Sequence, residues 1–376
     1  MLEHSTIEGS LLNVVLYLVL FIYSIRQKEI CLLTTSRVSV WVHLVIILFC
    51  IFAFWDPDYY HYKEALNDIN VYYPFADQQT KLETIYLRVY DFCNRNYLLF
   101  RTVVWGGAYL LFMIMAKKID AYNNLTFALF IILFLLMFSY ARVSLGMVTL
   151  FLGAILLATS KHNILHIIFA AALLLLCYNA HKSMIVPLCL LPLCFIKLNR
   201  CIWPFIVTIV IFLVVYYSEF ITVTLFENTD ASDEADQLQE TIQIAGVYNE
   251  NSQAISVGLG LLLQRVVQYT SIIVPLILMF KKEIYQYLQN NIECRVLYNS
   301  ALLIVVVAMS MGILTSLFSA LCYRFLYMAY IPIILLTSVL YRQKYFSGKQ
   351  LSIIVALAGF CVWYRLLYAT YLTMMS

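Results

Sequence analysis

The sequence predicts an all-α, polytopic integral membrane protein with about twelve transmembrane helices and two larger loops on one face. Three observations carry that prediction. Hydrophobic residues make up 63% of the chain and charged residues only 12%, where a soluble domain carries roughly a quarter; mean hydropathy is +0.84. Apolar runs recur along the chain at lengths close to the roughly 20 residues that cross a bilayer as a helix. Basic residues fall in every second loop between those runs, as they do when cytoplasmic loops hold the positive charge.

Taken in order, the first run, 10–25, follows Glu3, His4 and Glu8. It lacks the basic leader of a cleavable signal peptide and is expected to be retained. Arg26, Lys28 and Arg37 separate it from the second span, 38–54. Lys117 and Lys118 separate spans 98–116 and 125–141, Lys161 separates 144–159 from 163–180, and Lys197 with Arg200 separates 184–197 from 201–217. Lys281, Lys282 and Arg295 lie between 255–280 and 296–318. Arg342, Lys344 and Lys349 lie between 325–340 and 351–371. These loops hold fourteen of the 24 basic residues, against only Glu29, Asp120, Glu283 and Glu293. The positive-inside rule makes them cytoplasmic and puts both termini outside. Spans 144–159 and 184–197 are short for a bilayer and are expected to be tilted, broken or shielded.

The two long loops, 55–97 and 218–254, then face outward. The first opens Trp-Asp-Pro-Asp-Tyr-Tyr-His-Tyr (55–62) and continues through Glu64, Asp68, Asp77 and Glu83. From Lys81 onward, Leu82, Ile85, Tyr86, Val89, Tyr90 and Cys93 recur at three- and four-residue steps, the period of an amphipathic helix against the interface or the bundle. The second holds Glu219, Glu227, Asp230, Asp233, Glu234, Asp236, Glu240 and Glu250 without a Lys or Arg. It reads as a solvated acidic loop or as a lid over a substrate cavity. One membrane domain covers residues 1–376. There is no CxxC, P-loop, G-x-G-x-x-G or internal repeat, so neither a zinc site nor a disulfide framework is indicated. No metal, cofactor or nucleic-acid partner is expected.

The chemistry is expected around Ser139–Ser183. Ser-Tyr-Ala-Arg-Val-Ser (139–144) and Tyr-Asn-Ala-His-Lys-Ser (178–183) bound two apolar runs that dip through the bilayer and return. Tyr140, Arg142, His181 and Lys182 would thereby share one membrane face. Further cations lie in or at the outer ends of spans: Arg265, Arg324 and Arg365, with Arg101 just inside the third span. A cation at a helix centre costs roughly 2.5–3.5 kcal/mol on insertion scales. No Asp or Glu lies within spans four to seven to neutralise the set. Either these side chains pair with backbone carbonyls or with Asp58 and Glu83, or they converge on an anion, which an arginine fork binds bidentately and without losing its charge. His181 is the candidate for proton transfer, and the charges of Lys182 and Arg142 favour the neutral imidazole that a base needs. Asp56, Asp58 and His61 form a second constellation. His162 and His166, four residues apart, have no third ligand beside them.

Asp-Pro-Asp-Tyr-Tyr-His-Tyr (56–62) with Leu-Glu-Thr-Ile-Tyr (82–86) resembles the D-Y-x-x-Y … E-x-x-Y/F pattern of EpsG-like proteins, bacterial polysaccharide polymerases of the broader Wzy type. Tyr-Ala-Arg-Val-Ser-Leu-Gly (140–146) is similar to that family's R-Q-x-x-A segment, with Val143 in place of Gln and Gly146 in place of Ala. Asn-Ala-His-Lys-Ser (179–183) is similar to its F-H-x-S, and Cys-Tyr-Arg-Phe-Leu-Tyr (322–327) to its R-x-x-Y. The resemblance implies an O-antigen, capsule or exopolysaccharide polymerase in the bacterial inner membrane, acting on undecaprenyl-diphosphate-linked oligosaccharide repeat units. A flippase would deliver the units and a chain-length regulator would accompany the enzyme. The growing chain would pass from its lipid diphosphate to a sugar hydroxyl, with no cofactor or metal. Arg142 and Arg324 would hold the diphosphate, His181 would be the base or its helper, and Asp58 and Glu83 would shape the outer cavity. A twelve-helix transporter or flippase of lipid-linked glycan and a membrane O-acyltransferase are the alternatives from other classes. The first predicts related halves, and none stand out here; the second predicts dependence on an acyl donor.

Overall fold

The computed structural model describes residues 38–52, 84–138, 143–160, 163–216, 259–314 and 320–348, with Val15, Leu18, Val19, Ile22, Lys63 and Leu66. Lys182, Arg265 and Arg324 are described by their backbone alone. Asp58, Glu83, Tyr140 and Arg142, loop 218–254, the last expected span and most of the first lie outside the described residues.

Among the described residues every regular element is helical. Three helices are long and apolar enough to cross a membrane: Tyr97–Lys118, Ile292–Ser310 and Phe325–Arg342. Seven shorter apolar helices accompany them. The helices are α1 (Val40–Ile51), α2 (Thr84–Phe92), α3 (Tyr97–Lys118), α4 (Asn124–Leu133), α5 (Leu135–Phe138), α6 (Val143–Thr159) and α7 (Ile164–Ala180). They continue with α8 (Ile185–Phe195), α9 (Trp203–Tyr216), α10 (Leu259–Met279), α11 (Lys282–Asn290), α12 (Ile292–Leu314), α13 (Ala320–Met328) and α14 (Tyr330–Arg342). Three of them start on an asparagine whose side-chain oxygen takes orphan first-turn N–H groups. Asn96 accepts from Leu99 N at 3.0 Å, Asn123 from Thr126 N at 3.0 Å, and Asn163 from Leu165 N at 3.1 Å.

Two expected spans are divided. Residues 125–141 contain α4 and α5 with a break at Phe134, across which Phe130, Phe134 and Phe138 pack edge to face at 5.1–5.9 Å between ring centres. The span expected at 325–340 follows a bend at Ala329 between α13 and α14. Pro332 stands in the first turn of α14, where its missing N–H leaves no hydrogen bond unmade.

Tertiary contacts give the bundle two chemically different ends. At one end Arg342 pairs with Asp120 and donates to its carbonyl at 2.9 Å. Lys117 lies 4.9 Å from the ring centre of Tyr122, Tyr287 stacks near Tyr345 at 5.2 Å, and Lys197 donates to Asn290 at 2.7 Å. Among the described residues the basic loops after α3, α8, α10 and α14 therefore lie at this end, linked pairwise. A chain of hydrogen bonds fastens α8, α11 and α12 at this end. Asn299 donates to the carbonyls of Cys194 and Ile196, Gln289 donates to Asn299 at 2.7 Å, and Leu198 N donates to Gln289. Trp203 donates to Tyr285, which donates to the Leu198 carbonyl, each at 2.8 Å. Buried His43 bridges the hydroxyls of Tyr109 and Tyr122, both at 2.8 Å.

At the other end of the α1–α3 pair lies Arg101. It is fully buried, where an unpaired charge would cost several kcal/mol. Its Nε donates to the carbonyl of Ile51 at 2.9 Å and its Nη2 to that of Cys50 at 2.6 Å. Its guanidinium carbon lies 4.3 Å over the Trp105 ring. Those carbonyls are the unsatisfied last acceptors of α1 and carry the negative end of its dipole, so the cation caps the helix. A π-helical turn at Thr102–Gly106 follows immediately. Pairing with carbonyls, one of the readings open for Arg101, is observed.

Arg101→Met should therefore lower stability by about 2–5 kcal/mol, since it strands two buried carbonyls. Arg101→Lys should recover only part, because the fork is lost. Thermal unfolding of the detergent-solubilised protein measures both.

Candidate functional site

The α6–α7 hairpin builds the end opposite the basic loops. Its helices pack at unusually short range because two glycines, one heptad apart, face α7 and the turn after it. A Cβ on Gly153 would sit 3.1 Å from Leu174 and 3.2 Å from the carbonyl of Ala170. A Cβ on Gly146 would sit 2.8 Å from Met184 Cγ and 3.6 Å from Ala180. Small residues at such crossings let apolar helices gain contact area that lipid would otherwise supply. Gly153 thus lies against the middle of α7 and Gly146 against its end, so the helices are antiparallel. The start of α6 and the end of α7 meet. Gly146, where the family pattern has Ala, is the residue that permits the meeting.

Buried Ser144, in the first turn of α6, donates from Oγ to the carbonyl of Phe138, the last residue of α5, at 3.0 Å. At the partner end, α7 stops at His181, whose φ of −164° and ψ of 130° are extended. The 3-10 turn Lys182–Met184 follows. Met184, wholly buried under Gly146, donates its N–H to the His181 carbonyl at 2.9 Å.

His181 is half-buried, and its ring is oriented by Ser183. The Ser183 backbone N–H donates to Nδ1 at 3.1 Å, and Ser183 Oγ lies 2.7 Å from the same nitrogen. A backbone N–H can only donate, so Nδ1 must be unprotonated and the neutral ring carries its proton on Nε2. The hydroxyl then donates as well. Sequence reading singled out His181 but not Ser183; the signal was the His-Lys-Ser spacing itself, two residues being the reach of such a turn.

Helices α10, α13 and α14 bring two further cation-bearing segments towards this end. Tyr330, at the bend between α13 and α14, stacks near Phe134 at 5.7 Å and lies 3.1 Å from Ser271 Oγ. Because Asn123 also bonds Ser338 at 2.8 Å, α4 and α14 are antiparallel. Tyr269 OH meets Cys322 Sγ at 3.9 Å, so α10 and α13 are neighbours. Going back along the chain from Tyr330 and Ser271 leads to Arg324 and Arg265; going forward from Phe134 leads to Phe138. All three directions point away from the basic end. Arg265 stands 14 residues before Met279, about 21 Å along the helix from the basic end at 1.5 Å per residue.

α2 lies beside α7. It buries Tyr86, Tyr90 and Cys93 while exposing Phe92, and Tyr86 and Tyr90 stack edge-on against Phe100 at 6.3 and 5.7 Å. Among the described residues no group of three His, Cys, Asp or Glu is arranged to hold a metal ion.

A family model described as the EpsG family matches residues 38–375, in agreement with the resemblance read from the motifs. No curated protein and no solved structure matches the chain.

Gly146→Ala should push Met184 aside and, through its bond to the His181 carbonyl, displace the histidine turn, at about 1–3 kcal/mol for overpacking. Adding Met184→Ala should return part of that loss, a coupling that a double-mutant cycle of thermal unfolding reads directly. Gly153→Leu should destabilise further and without rescue, because its obstacle includes backbone.

Proposed function

The chain belongs to the EpsG family, and from that premise we propose that it is a membrane polysaccharide polymerase. It joins undecaprenyl-diphosphate-linked oligosaccharide repeat units, transferring the growing chain from its lipid diphosphate to a sugar hydroxyl of the next unit. In this reading about twelve helices cross the inner membrane, the basic end is cytoplasmic by the positive-inside rule, and the α6–α7 end faces outward. The observation that carries the proposal is the meeting of the α6 and α7 termini at the end towards which α10 and α13 carry Arg265 and Arg324. A substrate whose leaving group is a diphosphate needs cations where its charge develops, in a site that excludes water. Arg142 and Arg324 hold the diphosphate in this scheme, with Arg265 and Lys182 supporting them. Tyr140 and Glu83 bind sugar.

Of the two parts expected of His181, base or helper of the base, this reading gives it the second. With Nδ1 filled by the Ser183 N–H and hydroxyl, the ring offers a proton at Nε2 and no lone pair there. It serves as a neutral donor to the oxygen on which charge collects, and Asp58 is the base that takes the proton of the attacking hydroxyl. Both bonds change in one transfer. The hydroxyl oxygen bonds the anomeric carbon as the bond to diphosphate breaks, and the diphosphate keeps the electron pair.

In an assay of purified protein with lipid-linked repeat units, Arg324→Ala and Arg142→Ala should leave the protein inserted and lower chain growth by about 10²–10³-fold, the worth of one preorganised donor. Normal polymer length in both would remove the leaving-group role. His181→Gln, whose amide nitrogen lies near the position of Nε2, should keep more activity than His181→Asn, whose amide nitrogen lies near Nδ1. The opposite order would restore the base assignment. Ser183→Ala removes the hydroxyl and leaves the backbone N–H on Nδ1, so it should lower turnover modestly with little change in substrate KM, because one contact in place of two orients the ring.

A further inference from the structure

A second site of a different kind lies at the basic end. Between α10 and α12 is an open groove with a cavity of about 400 Å³, lined by Ile273, Leu276, Ile277, Phe280, Leu302 and Val305. Arg200 and Lys281 complete its lining. Ile273, Ile277 and Lys281 stand four residues apart, one stripe about 12 Å long at the helical rise. Leu302 and Val305 face it from α12. The groove is therefore apolar along its length and cationic at its mouth, where Lys281 follows the last turn of α10.

The two cations are not committed elsewhere. Arg200 lies in the short turn Arg200–Ile202, half-buried, with its guanidinium carbon 5.1 Å from the ring centre of Phe280. Its Nε is buried and makes no hydrogen bond. Neither Arg200 nor Lys281 forms an ion pair or a side-chain hydrogen bond among the described residues. A buried N–H of an arginine without an acceptor is rare and calls for one. Ile277, in the middle of the stripe, is 64% exposed, so the groove opens sideways towards the space that acyl chains occupy around a membrane helix.

We infer that this groove holds an anionic glycerophospholipid, its phosphate against Arg200 and Lys281 and one acyl chain along the Ile273–Ile277 stripe. The match is in charge and in direction. The cations sit at the end where headgroups of the basic-side leaflet lie, and the apolar stripe runs from there towards the midplane. The site is separate from the α6–α7 end and does not depend on the proposed reaction. A bound lipid would fasten the loop that joins α8 to α9 onto α10, two elements that no direct polar bond connects at that point.

The test titrates the purified full-length protein in mild detergent with phosphatidylglycerol and, separately, phosphatidylcholine of the same acyl chains, counting bound lipid by native mass spectrometry. The wild type should prefer phosphatidylglycerol by about thirtyfold, the attraction expected of two surface cations. Arg200→Gln with Lys281→Gln should bind both lipids equally. Ile277→Trp, which fills the groove and keeps both cations, should bind phosphatidylglycerol less. Lys281→Gln alone changes an exposed side chain and should cost about fivefold, which keeps the test available if the double variant does not fold. Equal binding by the wild type, or a preference left undiminished by the loss of Lys281, would overturn the site. Thermal stabilisation by inorganic phosphate equal to that by phosphatidylglycerol would overturn its lipid nature.

Discussion

The close approach of α6 and α7 governs the arrangement at the candidate site. Gly146 and Gly153 leave no room for a side chain between these helices, and the contact they permit is what lets two segments some forty residues apart share one end of the bundle. Packing in lipid draws little help from the hydrophobic effect, since acyl chains are as apolar as leucine. Shape has to supply the affinity instead. The same contact sets the histidine, because Met184 fills the space above Gly146 and is bonded to the His181 carbonyl.

Around that hairpin the polar groups are sorted by what can satisfy them. At the basic end, cations and amides are tied to one another through Asp120, Asn290, Gln289 and Asn299. In the interior near the other end, Arg101 is held by carbonyls that α1 could not use itself. A buried charge survives where hydrogen bonds replace its lost water, and α1 supplies those bonds only at its last turn.

The histidine shows how a local turn decides chemistry. Composition around His181 argues for a neutral ring, and a neutral ring can be a base or a donor. In the proposed reading Ser183 favours the donor, because it places a backbone N–H, a group that cannot accept, against Nδ1. A donor already in place when charge appears needs no reorganisation, which is where electrostatic catalysis gains most.

The helical membrane class was legible in the sequence, because hydropathy and the alternation of basic loops are properties of single segments. The apolar runs 98–116 and 163–180 coincide with α3 and α7. The family was legible too, from short motifs around Asp58, Arg142, His181 and Arg324. Three things were not. The break at Phe134 and the division at Ala329 lie within continuous apolar runs, and the contact of Phe134 with Tyr330 that brings them together joins residues almost two hundred apart. The role of Arg101 depended on the last carbonyls of a helix fifty residues earlier. The lipid-shaped groove needed Arg200 and Lys281, eighty residues apart in the chain, to reach one mouth. Sequence alone fixed which segments are apolar and where charge falls along them, since each segment meets the bilayer by itself. Tertiary structure alone decided which charges are spent on helix ends and which remain for a ligand, since that depends on which backbone groups other helices leave unpaired.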